Sequence, residues 1–235
     1  MKKTIMAAAL LTGVIFASAF QSQAASEVYG LDSQFNGNVV PGSTVPWLTA
    51  TFADSAPNTV TLTLQANSLV SGAFVSEWDF NFDPTLAGSL SALNFAVGPG
   101  GVGTVTPAVV STAADGIALD GTGGNADISL AFQTGLGSGR FTAGETIVYT
   151  ITGIAGLNSS DFNFASVGST TGPWYTAAQI QGIPCPGCGG TTIAWIGDCT
   201  STPNNAPEPA TMAILGSFIA FAVYLKRRNG QSVTA

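Results

Sequence analysis

The feature that most constrains the fold is an alternation of apolar and polar residues with a period of two, which begins at about Trp47. Val60, Leu62 and Leu64, for example, alternate with threonines. Successive side chains of a β-strand point to opposite faces, so this spacing predicts strands with one face buried and the other solvated.

A second alternating run covers residues 74–83 and combines an aromatic row with a row that carries Glu77, Asp79 and Asp83. Carboxyl groups two residues apart on a strand are separated by about 6.6 Å, which overlaps the spacing in inverting glycosidases. The acidic row lies opposite the aromatic row, so we expect it to face solvent, where like charges cost little. We favour a solvated face over cation or ligand binding, and over carboxylate catalysis.

The remaining alternating segments are separated by clusters of Gly, Pro, Asn and Asp that are typical of turns. No stretch between the terminal segments shows an apolar stripe with a period of 3.6 residues. Eight to ten short strands predict an all-β fold, a single antiparallel β-sandwich over residues 26–200, with a jelly roll as one variant and a linker at 201–206. The remaining alternating segments, each predicted to be a strand, are 127–132, 145–152, 161–165, 174–181 and 191–196.

The first 25 residues predict a secretory signal peptide with a short helical core. Lys2 and Lys3 form a positive start, an apolar stretch follows at 5–16, and small residues suit cleavage after Ala19 or Ala24. The apolar core is too short to span a membrane, so we expect an exported mature domain.

The C-terminal segment combines three unlike features in order. Pro207, Glu208 and Pro209 precede an uncharged stretch at 210–225. Its sixteen residues fall short of the roughly 20 that a comfortable transmembrane helix needs, so the segment is a marginal anchor. The cations after it should stay in the cytoplasm together with the tail 229–235. These cations are Lys226, Arg227 and Arg228.

This order over residues 207–228 resembles the PEP-CTERM sorting signal of exported proteins in Gram-negative bacteria that make extracellular polysaccharide. The resemblance implies export by the general secretion machinery, transient anchoring in the inner membrane, and processing near the motif by an exosortase-type cysteine protease. Residues 78–84 and 177–182 also resemble segments of β-rich precursors of this class, a likeness that implies no activity.

Charge and composition exclude several function classes. Residues 26–206 carry twelve acidic residues and a single cation, Arg140, which leaves eleven net negative charges. Such a surface repels phosphate backbones and anionic lipids, so binding of nucleic acid is excluded. The chain has no histidine. Serine–histidine and cysteine–histidine nucleophile pairs therefore cannot form, and any catalysis would depend on carboxylates.

A glycine-rich loop supplies weak candidate calcium ligands, since this cation accepts oxygen ligands on flexible backbone. The loop does not match the EF-hand spacing, and we favour a plain turn. The candidates are Asp115, Asp120, Asn125 and Asp127.

Three cysteines, Cys185, Cys188 and Cys199, suggest a disulfide in an oxidising compartment. Zinc would need a fourth thiolate or an imidazole, which the chain lacks. We predict that Cys199 pairs with Cys185 or Cys188, and that the remaining thiol is free to link two chains, which a non-reducing gel would test.

Trp47, Trp174, Tyr175 and Trp195 could form a sugar-stacking platform, although aromatic residues of a sandwich more often belong to the core. The sequon at Asn158 carries little weight, because so short a pattern arises by chance. We therefore expect a non-enzymatic exported protein at the cell surface or in the extracellular matrix, with no cofactor and exopolysaccharide as a candidate partner. A glycan- or calcium-binding module is the first alternative, and a carboxylate-only glycosidase the second.

Overall fold

The structure is a computed structural model that describes residues 24–120, 123–200 and 202–204. All of them belong to one compact unit, Ala24–Ala206. Residues 1–23 of the predicted signal peptide, the sorting segment 207–228 and the tail 229–235 lie outside the described residues. Among the described residues, no helix is both long and apolar enough to cross a membrane.

The described chain forms thirteen β-strands and three short 3₁₀ helices. The strands are β1 Ser26–Leu31, β2 Ser33–Asn36, β3 Leu48–Ala56, β4 Thr59–Ala66, β5 Phe74–Phe80, β6 Asn94–Val97, β7 Val109–Ala118, β8 Asn125–Ala131, β9 Phe141–Thr142, β10 Thr146–Thr152, β11 Thr176–Cys185, β12 Gly190–Asp198 and β13 Thr202–Asn204. The 3₁₀ helices are Pro84–Ala92, Ser159–Phe162 and Pro186–Cys188.

The strands make two antiparallel sheets that pack face to face, which confirms the all-β sandwich. The first sheet has the order β13-β1-β3-β4-β10-β6. The second has the order β2-β12-β11-β5-β8-β7, and β9 pairs with β5 beside it. Their outermost strands are short, except β7, whose pairing with β8 shifts register between Thr112 and Ile117. Short or irregular outer strands are how sheets avoid pairing with other chains.

One main core fills the space between the sheets. Val60, Leu62 and Leu64 are fully buried, as their alternation predicts, and the threonines between them are half-buried. Phe52 packs edge-to-face on Phe80 at 5.0 Å and stacks on Phe162 at 4.2 Å between ring centroids. Each fully buried large apolar side chain contributes about 1.5–3 kcal/mol, so the aromatic rows carry much of the stability.

A second, smaller core covers part of the outer face of the second sheet. Ala177 and Trp195 lie on the face opposite to Ala178 and Ile196, which belong to the main core. Trp174 joins them, and Phe35 stacks on Trp174 with ring centroids 4.7 Å apart. The middle of this sheet is therefore buried on both faces, and the prediction of a solvated outer face for β5 was wrong.

Several elements differ from the predicted ones. The count of eight to ten strands was too low, because β1, β2 and β7 lack a clear apolar row. In β1 the inward-facing residues alternate correctly but begin with a buried glutamate, Glu27. The strand predicted at 161–165 does not form, because Asp161 and Phe162 belong to the 3₁₀ helix Ser159–Phe162 and residues 163–165 have no regular secondary structure. Asn158 and Asp161 cap that helix with reciprocal hydrogen bonds, which compete with strand pairing.

Candidate functional site

The described domain begins and ends on adjacent strands. In the first sheet β1 pairs with β13, so that Ser26 lies opposite Asn204 and Val28 opposite Thr202. Two residues separate Asn204 from Pro207 in the sequence. The sorting motif itself, Pro207–Pro209, lies outside the described residues, and so do Lys226, Arg227 and Arg228. The described domain therefore begins and ends at the same edge of the first sheet.

The three carboxylates of the acidic row have three different environments. Glu77 is half-buried, and its Oε1 accepts a hydrogen bond of 2.8 Å from the Ser129 hydroxyl. Asp83 caps the 3₁₀ helix Pro84–Ala92 and accepts hydrogen bonds of 2.7 Å from the backbone N–H and the hydroxyl of Thr85. Asp79 has no exposed surface, so the structure does not form the solvated row that the alternation predicts.

Asp79 is the unusual member of this row. Neither of its carboxyl oxygens has a hydrogen-bond partner. Burial raises the pKa of this carboxyl well above its ordinary value, and the negative charge of Glu77 raises it further. A buried acid beside a more exposed one is the electrostatic pattern of an acid–base pair. A polymer substrate nevertheless cannot reach the enclosed carboxyl of Asp79, which argues against the glycosidase alternative.

The candidate calcium ligands do not converge. Asp127 is buried, and it accepts a backbone hydrogen bond of 2.8 Å from Phe82 and one of 2.7 Å from Asp115. Asp120 instead accepts a hydrogen bond from the side-chain amide of Asn36. The backbone of Asn125 pairs with that of Val167. Across the described ranges, no group of three Asp, Glu or Cys side chains is placed to hold a metal ion.

A polar cleft lies where β2 separates from β12, and sequence reasoning missed it. Its volume is about 220 Å³. Carboxamide, carboxylate and hydroxyl groups line it beside one indole, a mixture that suits a neutral polar ligand. The cleft is formed by Asn36, Gly37, Asn38, Asp120, Thr192, Ile193, Ala194 and Trp195. The strand β2 gave no sequence signal, so the neighbourhood of Asn36 and Asp120 could not be foreseen.

The four aromatic residues do not form an exposed platform, so the sugar-stacking hypothesis was wrong in this form. Trp47, Trp174 and Trp195 are all buried, with at most 6% of their surface exposed. Trp47 donates from its indole N–H to the carbonyl of Gly42 at 3.1 Å. Half-buried Tyr175 stacks on Tyr29 with ring centroids 6.3 Å apart. The core interpretation of these tryptophans is confirmed.

The predicted disulfide pairing was also wrong, because Cys185 is bonded to Cys188, with Cα atoms 5.2 Å apart. Cys199 is free and exposed. The hairpin β11–β12 explains the difference, since Cys185 lies opposite Gly190 at its turn, whereas Cys199 follows Asp198 at its other end. About nine residues of strand separate the two ends, or roughly 30 Å. A link between two chains through Cys199 stays a prediction.

The sequon asparagine has structural contacts of its own. The side-chain amide of Asn158 donates to the carbonyl of Gly156 and to Oδ1 of Asp161, each at 3.2 Å. Its side-chain oxygen accepts a hydrogen bond of 3.0 Å from the backbone of Ser160. The residue is therefore engaged as a helix cap, which accounts for its place in the sequence.

A second acidic group lies beside the first sheet and was not identified from the sequence. Burial raises the pKa of Glu27, and the nearby charge of Asp54 raises it further. Burial likewise raises the pKa of Asp161. Both carboxylates have donors, since Asn163 donates to Glu27 at 3.1 Å and the backbone of Asn158 to Asp161 at 2.9 Å. Hydrogen bonding thus distinguishes this group from Asp79.

Comparison of the chain with protein-family models, with curated proteins and with solved structures finds no match in any of the three.

Proposed function

We propose that this chain is an exported, non-enzymatic protein whose C-terminal signal is processed by an exosortase-type protease. A signal-peptide helix and a C-terminal transmembrane helix flank the sandwich in the precursor, and processing leaves the domain at the cell surface or in the extracellular matrix. The observation that carries this proposal is the order of Pro207–Pro209, the apolar stretch 210–225 and the basic cluster 226–228. Exopolysaccharide is the partner that we expect outside the cell.

The ends of the sandwich support the proposal. Because Ser26 and Asn204 are paired, the chain enters and leaves the domain at one sheet edge. Chain ends that leave the domain on one side are compatible with a precursor that has a membrane segment at each end. Ala24, the second candidate cleavage site, lies two residues before β1. Cleavage there leaves almost no free chain before the sheet, whereas cleavage after Ala19 leaves five more residues.

The disulfide and the acid groups support the proposal in a second way. A bond between Cys185 and Cys188 is favoured in the oxidising compartments that an exported protein enters. The acidic side chains singled out as catalytic candidates are engaged in capping, accept other hydrogen bonds or are enclosed. These roles favour a structural or display function over catalysis.

The intact mass of the mature protein tests this proposal. We expect protein from wild-type cells to lack both the signal peptide and residues 229–235, and protein from cells without the sorting protease to keep that tail. Substituting the motif glutamate, Glu208→Gln, should also leave the tail attached, whereas the matched change Asn229→Ala beyond the basic cluster should not. Retention of the tail in wild-type cells would contradict the proposal.

A binding module is the second candidate, and the cleft beside Asn36 and Asp120 is the observation that favours it. A neutral glycan could use the carboxamide and carboxylate groups for hydrogen bonds and the edge of Trp195 for apolar contact. We expect any glycan retained on an array to be lost on Asp120→Asn and kept on Asp32→Asn, a change at an exposed acid outside the cleft. An array without signal, together with melting unaffected by calcium, would argue against a binding module.

A further inference from the structure

The carboxyl of Asp79 lies in the middle of the second sheet. Its strand, β5, has β11 on one side and β8 on the other. In the register of these strands Asp79 is directly opposite Ala177 and Ser129. Ala177 belongs to the smaller core on the outer face, which also contains Trp195. The carboxyl of Asp79 is therefore covered by apolar side chains of the smaller core.

The surroundings of Asp79 offer it no positive charge and no hydrogen bond of ordinary geometry. Both carboxyl oxygens are without a partner. The hydroxyl of Ser129 lies near Asp79 and lowers its pKa slightly against the larger effect of burial, but its well-formed hydrogen bond is donated to Glu77. Arg140, the one cation within the described ranges, donates to the carbonyls of Thr134 and Gly135 and lies 4.0 Å above the ring of Phe74. An ionised carboxylate at this place would remain uncompensated, which costs several kcal/mol.

The titratable groups that face Asp79 are all acidic. Glu77 precedes it by two residues on β5, and the two carboxyl groups lie near enough for the protonated form of Asp79 to be favoured by hydrogen bonding to Glu77. On β8, Asp127 lies two residues before Ser129 on the same face and has both oxygens occupied. Exposed Asp115 of β7 contacts Asp127 through its backbone. The strand β11 faces Asp79 with Ala177, and no neighbouring element brings a base to it.

We propose that Asp79 is a proton-binding site: its carboxyl stays protonated in the folded domain at pH values where an ordinary aspartate is ionised, and this proton contributes stability that is lost as the pH rises. The raised pKa of Asp79 agrees with the geometry. The inference concerns the described domain alone and does not depend on the proposed export.

The direction of the pH dependence follows from proton linkage. In the unfolded chain Asp79 ionises near its ordinary pKa of about 3.9, whereas in the folded domain its pKa is higher. Below the unfolded value both states hold the proton, and the stability is fully present. As the pH rises from there to the folded pKa, only the folded state holds the proton. The folding equilibrium constant then falls tenfold for each pH unit, and above the folded pKa the loss is complete.

Denaturant unfolding of the full chain, purified in mild detergent, tests the proposal between pH 3 and pH 9. Asp79→Asn replaces the protonated carboxyl with a neutral group of the same shape. We expect it to remove the part of the fall that Asp79 contributes, to leave the part that Glu27 and Asp161 contribute, and to make the protein more stable than the wild type at the alkaline end. The matched control Asp32→Asn, at an exposed aspartate, should keep the fall. An unchanged slope in Asp79→Asn would overturn the proposal.

A second measurement covers the case in which the variant does not fold. In wild-type protein labelled with ¹³C, the side-chain carboxyl resonance of Asp79 should keep the protonated shift at pH 5, where that of an aspartate in an unstructured peptide has already moved. If the Asp79 resonance moves near pH 4, as in the peptide, the proposal fails. A calcium titration at pH 7 separates a proton from a cation. A melting temperature that rises with calcium in the wild type but not in Asp79→Asn would also overturn it.

Discussion

Asp79 and Asp127 lie on neighbouring strands of the same sheet, and burial alone does not separate them. Asp127 accepts hydrogen bonds from two backbone N–H groups, those of Phe82 and Asp115. Asp79 accepts none. The backbone donors of Asp127 replace the water that its carboxyl loses on burial, and they fix the chain around it. Asp79 has no such donors, so the proton on its carboxyl must take the place of the missing partners.

The comparison shows how the irregular part of β7 is held. Between Thr112 and Ile117 the pairing with β8 shifts register, and Asp115 lies in that segment with a positive φ of 48°. The hydrogen bond from the backbone of Asp115 to Asp127 is placed where regular ladder bonds are lost. A buried acid can therefore stabilise a bulge, provided that the bulge supplies the donors.

The largest effect is expected at Asp127. Asp127→Ala removes the acceptor of two backbone N–H groups, one of them buried, and should lower the free energy of unfolding by about 3 kcal/mol. Denaturant unfolding at pH 7 measures this change, and Asp32→Ala serves as the control with an expected change below about 0.5 kcal/mol. A loss below about 1 kcal/mol would remove the distinction between the two buried aspartates.

Strands β4 and β5 show how much of the structure the sequence could predict. The alternation of Val60, Leu62 and Leu64 identified the core face, because a strand with one solvated face has a visible period. The outer face of β5 was misjudged, since Trp174 and Trp195 cover the second sheet from segments about a hundred residues away. Val75 shares the alternation of Glu77 and Asp79 in the sequence but packs in the main core, because the pairing of β5 with β11 shifts register between Val75 and Glu77.

The candidate sites failed for a similar reason. Cysteine spacing alone does not determine the pairing, which depends on the end of the β11–β12 hairpin at which each thiol lies. The polar cleft joins Asn36 to Asp120 across 84 residues, and no periodicity records such a contact. The sequence could predict strands with one clear apolar row, but contacts between distant loops and the covering of a second face arise only when the chain is folded.

A smaller effect is expected at Ser129, which lies between the two aspartates. Its hydroxyl donates to Glu77 and leaves Asp79 without a donor. Ser129→Ala should lower the free energy of unfolding at pH 7 by about 1 kcal/mol, because Glu77 is half-buried and water replaces part of the lost bond. Ser111→Ala, at the exposed residue opposite Ser129 on β7, is the matched control and should change it by less than about 0.5 kcal/mol. A loss of about 3 kcal/mol would instead mean that the hydroxyl serves the fully buried Asp79 in solution, and the contrast between a satisfied and an unsatisfied buried acid would no longer hold.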